Sequence, residues 1–160
     1  MAKNKIYISL LIIFFTIFSC SDSEVFISDG LFINYRNEDV GTVELTQQGN
    51  GSNIRISIKG LIPGKYSLDF YEIGKCNSPD FEASGSKIKF FDRENLYTFY
   101  VKKEINRYTG KVKDFNQTLF IERIILDPKV EQSLSDFNGS SFILSDELGK
   151  KIICSEIYLR

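Results

Sequence analysis

Between Thr42 and Lys59 the chain alternates apolar and polar residues with a regularity that few folds can use. Val43, Leu45 and Gln47 fall on one side, and Thr42, Glu44 and Thr46 on the other. Gly49-Asn50-Gly51-Ser52 then gives a hairpin signal. Beyond it, Ile54, Ile56 and Ile58 face one way while Arg55, Ser57 and Lys59 face the other. Successive strand residues point to opposite faces, so each run predicts a half-buried β-strand. The same period opens with Leu31–Tyr35, closed by Asn37-Glu38-Asp39 as a turn. After the reversal Leu61-Ile62-Pro63-Gly64, it places Leu68 and Phe70 inward and Ser67, Asp69 and Tyr71 outward. Further strands are predicted at Lys87–Phe91, Leu96–Val101, Thr118–Leu126, Ser140–Ser145 and Lys151–Leu159. No segment carries a capped amphipathic helix. Many short strands separated by turn clusters define an antiparallel sandwich or barrel. Tyr97, Phe99 and Val101 alternate as core residues do, in preference to a carbohydrate or partner platform.

The first residues follow another pattern. Lys3 and Lys5 precede an apolar run, Ile6 to Phe18, that ends at Ser19-Cys20. A basic start, a short apolar stretch and a small residue predict a secretory signal peptide, residues 1–19. The run is shorter than the roughly 20 residues a helix needs to cross a bilayer. Ile17-Phe18-Ser19-Cys20 resembles the bacterial lipobox, which makes Cys20 the acylated (palmitate-bearing) first residue of the mature chain. The alternative is an ordinary signal peptide cut nearby, leaving a free thiol. On the lipobox reading, residues 20–30 form a lipidated tether and residues 31–160 one domain. The protein is then expected in a bacterial cell envelope, held to the outer membrane and facing the periplasm or the cell surface. The lipid membrane is its first partner, and an envelope protein is a second.

Charge narrows the partners further. Without Lys3 and Lys5, 18 of the 20 basic residues stand against 21 acidic ones, a net of −3. No long run of either sign occurs, which argues against nucleic acid. The cysteine count is three, an odd number for an exported chain. Assigning Cys20 to lipid leaves Cys76 and Cys154 either as a disulfide or as two buried free thiols. Histidine is absent from the whole sequence.

Gly60, Leu61, Pro63, Gly64, Glu72, Gly74 and Cys76 match in register the metal-site hairpin of copper/zinc superoxide dismutases, which this chain resembles. Leu68 and Phe70 are apolar where that family is apolar. Gly41–Gln47 is similar to its second strand, and Gly149–Cys154 to its last, which carries the second cysteine of the family disulfide. The resemblance covers most of Leu31 to Leu159. It implies an eight-stranded Greek-key barrel with a Cys76–Cys154 bridge.

The departures from that pattern bear on function. Asp69 and Tyr71 occupy the positions of two copper-binding histidines, and Tyr66 that of a further histidine supporting the barrel. Lys87 falls where a histidine would bridge copper and zinc, and Ser145 on the fourth copper position. Tyr108 and Lys111 lie near zinc-ligand positions, and Lys151 replaces the arginine that guides superoxide. Copper redox cycling wants imidazole or sulfur ligands. The expectation is therefore a dismutase scaffold without cofactor or catalysis, a pseudoenzyme serving as a structural or partner-binding module. A dismutase-like domain of the family's copper chaperone, which works in partner recognition, is the family precedent. Two other readings stay open: a redox or hydrolytic enzyme on an oxygen-ligated metal, and an unrelated β-sandwich adhesin. Lack of histidine removes Ser-His-Asp and Cys-His arrangements. Asp146 and Glu147, adjacent on a strand, point apart, and Ser84-Gly85-Ser86 is too short for a phosphate loop.

Overall fold

The computed structural model describes residues 25–90, 94–106, 113–130, 133–134 and 138–159. Eight strands account for most of them: β1 Ile27–Asn34, β2 Asp39–Gln48, β3 Gly51–Ile58, β4 Gly64–Tyr71, β5 Tyr97–Val101, β6 Phe115–Glu122, β7 Ser140–Ser145 and β8 Lys151–Leu159. A 3-10 turn, Glu82–Ser84, is the sole helical element among the described residues. Every strand pairing is antiparallel, in the order β5-β4-β7-β8-β1-β2-β3-β6. The order makes one sheet curl into a Greek-key barrel whose two edges, β5 and β6, meet without a backbone ladder.

Alternation delivers the core as read. Val43, Leu45, Ile54, Ile56 and Ile58 are all buried, with Leu68 and Phe70 from β4. Phe70 stacks on Phe142 with ring centroids 4.4 Å apart. Phe99 and Phe115 stack at 4.2 Å across the β5–β6 gap, so aromatic packing does there what hydrogen bonds do elsewhere. Further along the same seam lies an apolar cleft of about 440 Å³ between Phe90, Leu96 and Tyr97 on one side and Leu119 and Ile121 on the other.

Several boundaries differ from expectation, among them the start of β6, at Phe115 and not Thr118. β1 begins at Ile27, four residues ahead of Leu31, because Ile27–Gly30 pairs with Val43–Thr46 of β2. β6 stops at Glu122, where Arg123 turns the chain with φ of 60°. Ile124 and Leu126 then enter the core as a cap over the barrel end, fully buried. Their backbone is held by Gln47, whose Oε1 accepts from the N–H of Leu126 and of Asp127 at 2.8 and 3.0 Å. Lys87–Phe90 forms no strand and contributes a single bridge between Lys87 and Tyr71. Phe91, with Cys20, Tyr108 and Lys111, lies outside the described residues.

Candidate functional site

β4 sets the site by presenting alternate residues to its two faces. Tyr66, Leu68 and Phe70 point into the barrel; Tyr66 stacks on Phe99 and donates its hydroxyl to the Ile62 carbonyl at 2.7 Å. Asp69 and Tyr71 share the opposite face, as the strand period requires. At Asp69 that face is hydrogen-bonded and closed to solvent. Asp69 is only 3% exposed and Tyr71 is half-buried, because the chain after β4 folds back over them.

The covering loop is tied down along its length. Glu72 and Ile73 donate backbone N–H groups to the carbonyls of Ser86 and Ser84 at 3.0 Å each. Ile88 donates to Phe70 at 2.8 Å. Cys76 and Cys154 form the expected disulfide, with Cα atoms 5.6 Å apart and a sequence separation of 78. The Cys76 N–H adds a bond to the Glu156 carboxylate at 2.9 Å. Phe81, fully buried against Ile143 and the disulfide, plugs the loop onto the sheet. It holds a left-handed backbone, φ 58°, which costs an ordinary side chain roughly 1–2 kcal/mol.

Beneath this loop, residues from three segments converge. One Asp69 oxygen accepts the Leu96 N–H at 2.8 Å, and the other meets the Lys87 ammonium at 3.0 Å. Lys87 also donates to Asn95 at 2.7 Å. The position matched to a copper ligand and the position matched to the bridging ligand are thus joined by an ion pair. Burial pushes the Asp69 carboxyl up; the Leu96 N–H and Lys87 oppose the shift, and Glu94 adds to it. Burial likewise raises the Tyr71 phenol, helped by the charges of Asp69 and Glu82.

Lys151 is drawn into the same assembly. Its ammonium lies 4.5 Å from the centre of the Tyr71 ring and donates at 3.3 Å to the Phe81 carbonyl and to Ser84 Oγ. Glu82 stands 3.6 Å away, and the lysine side chain keeps only 14% exposure. Its charge is engaged by the loop. Ser145, the fourth matched position, is buried on β7 opposite Ser67 of β4. It is not brought against Asp69, whose cross-strand neighbour is Ile143.

The donor set does not fit copper or zinc. It offers one carboxylate already engaged by an ammonium and an amide, a phenol under a second ammonium, and a serine on another pair. A metal cation would enter a site holding two positive charges, and at short range like charges repel strongly in a partly desolvated setting. No group of three or more histidine, cysteine, aspartate or glutamate residues among the described residues is arranged to hold a metal ion.

A nearly closed Greek-key order, a disulfide from the post-β4 loop to β8, and a site framed by β4, β7 and that loop define a superoxide dismutase-like fold. Comparison with known proteins agrees at the level of fold. No protein-family model matches the chain. It is 35% identical over 51 residues to the superoxide dismutase [Cu-Zn] of Caulobacter vibrioides, a stretch covering 32% of this chain and 29% of that protein. Among solved structures, it is similar to a SOD-like protein from Bacillus subtilis, with TM-score 0.61 and 22% identity over 80% of this chain and 96% of that one. A proline-to-histidine mutant of that SOD-like protein superposes with TM-score 0.66 and 21% identity, over 81% of this chain and 97% of the other.

Proposed function

We propose that this chain is a non-catalytic, dismutase-like envelope lipoprotein, a structural or partner-binding module anchored through Cys20. The observation that carries the reading is the Asp69–Lys87 ion pair. It joins two positions at which a dismutase would hold metal, and it uses up the carboxylate that a substitute metal would need. Lys151 supports it from the other side by binding the covering loop. On this reading, the loop and ion pair preserve the shape of the former metal face, which is available to another envelope protein as a rigid surface.

Elemental analysis of the mature domain, expressed in a periplasm supplied with copper and zinc, tests this directly. The expected result is no stoichiometric metal and no dismutation of superoxide. One bound copper, zinc or other metal per chain, retained through dialysis, would overturn it in favour of an oxygen-ligated metalloenzyme.

A further inference from the structure

The anchor and the barrel together fix which end of the molecule meets lipid. The chain is held to the barrel from Phe26, which packs against the core and accepts the Gln47 N–H at 2.9 Å. From Cys20 to Val25 is five Cα steps, a reach of at most about 18 Å. β1 alone runs about 24 Å from Ile27 to Asn34 at the rise of an extended strand. The tether is therefore shorter than the barrel is long.

We propose that the end formed by the start of β1, the β2–β3 hairpin and the turn after β6 rests on the bilayer surface. The proposal builds on the acylation of Cys20. Large apolar side chains are exposed at both ends of the barrel, so exposure by itself does not choose between them. Val25, Phe120 and Val130 are 62%, 51% and 45% exposed near the tethered end, and Ile62 and Leu148 are 73% and 88% exposed at the other. The tether makes the choice. Val130 belongs to the tethered end because the chain from Leu126 is fastened to Gln47, beside Phe26, and the Val130 N–H bonds to the Asp127 carbonyl. Apolar side chains here enter the interfacial layer, while Ile62 and Leu148 are carried away from it. Asp69 stays sealed beneath the post-β4 loop, so a partner in the aqueous phase would meet the outer face of that loop.

The chain contains no tryptophan, so a single introduced indole reports its own surroundings. Val130→Trp, Phe120→Trp, Ile62→Trp and Leu148→Trp are made in the full chain, each matured in a bacterial host. Each protein is reconstituted into phosphatidylcholine vesicles with or without brominated acyl chains, and intact mass reads the acylation of Cys20. The expected result is loss of most tryptophan emission in brominated vesicles at Val130 and Phe120, with Ile62 and Leu148 unquenched. An acylated chain in which Leu148→Trp is quenched as strongly as Val130→Trp, or in which none is quenched, overturns the orientation alone. A mass without acyl groups overturns the anchoring reading, and the orientation with it.

Discussion

Replacing Lys87 by methionine isolates what the ion pair does for the barrel. The Asp69 side chain is 4% exposed and that of Lys87 28%, so the carboxylate is the desolvated partner and the ammonium keeps some water. Removing one member of a buried pair costs about 3–5 kcal/mol, because the other charge is left uncompensated. The residual hydration of Lys87 places this case at the lower end, about 3 kcal/mol, or a fall of roughly 10 °C in Tm. Asp69→Asn alongside Lys87→Met should return most of that loss. Asparagine keeps an oxygen for the Leu96 N–H and brings no charge, and neutral replacement of both partners is often close to cost-free. Urea denaturation with the disulfide intact measures both variants. The sign of the pH dependence follows from the raised carboxyl. Burial lifts the folded-state value above the ordinary 3.8 in spite of Lys87 and the Leu96 N–H, with Glu94 adding to the lift. Stability from such a group is full below the unfolded value and declines as pH climbs through the folded one. Asp69→Asn lacks this titration and should gain on the wild type as pH rises from 3.8. A Lys87→Met loss below about 1 kcal/mol, the range of exposed pairs, would refute the reasoning. So would a double variant as unstable as the single.

Other expectations concern the loop and the sheet. Replacing Cys76 and Cys154 together by serine frees a 78-residue loop and should cost on the order of 4 kcal/mol, read as a lower urea midpoint. Lys151→Met removes the contacts to Phe81, Ser84 and the Tyr71 ring; about 1–2 kcal/mol is expected, with faster amide exchange at Ile73. Unchanged protection at Ile73 would count against Lys151 as a loop clamp. Gly41→Ala should be the harshest small change in the sheet. A Cβ there would sit 2.0 Å from the Ser57 carbonyl oxygen, where overpacking costs roughly 3 kcal/mol or more. Gly49→Ala meets no atom within 4 Å and should cost only about 1 kcal/mol, from its φ of +59°.

Alternation made β2 and β3 legible because each buries one clean face, whereas β7 is buried on both faces and was legible as a short apolar run. Alternation failed where an apolar residue is buried by other means. Ile124 and Leu126 fall out of phase with the inward Leu119 and Ile121 of β6, because Arg123 turns the chain without a glycine or asparagine to announce it. Ile88 and Phe90 look like strand residues, but the only bridge there is that of Lys87 with Tyr71. Alternation gave Asp69 its face but not its burial, since strand period says nothing about what a distant loop will cover. A signal for the ion pair was nevertheless present. Two positions that the resemblance brings to one metal carry an acid and a base, and opposite charges placed that close will pair.

β1 has two neighbours, β2 beside it in sequence and β8 at the far end of the chain. During synthesis β2 arrives at once, while the second edge of β1 stays bare until β8 is made. Cys76 waits 78 residues for Cys154, and the loop that seals Asp69 waits with it. Contacts between such distant segments make folding slow. A nascent chain therefore carries an unpaired strand edge through most of its elongation and an unpaired thiol through about half of it, and the feature that most distinguishes the finished molecule is among the last to form.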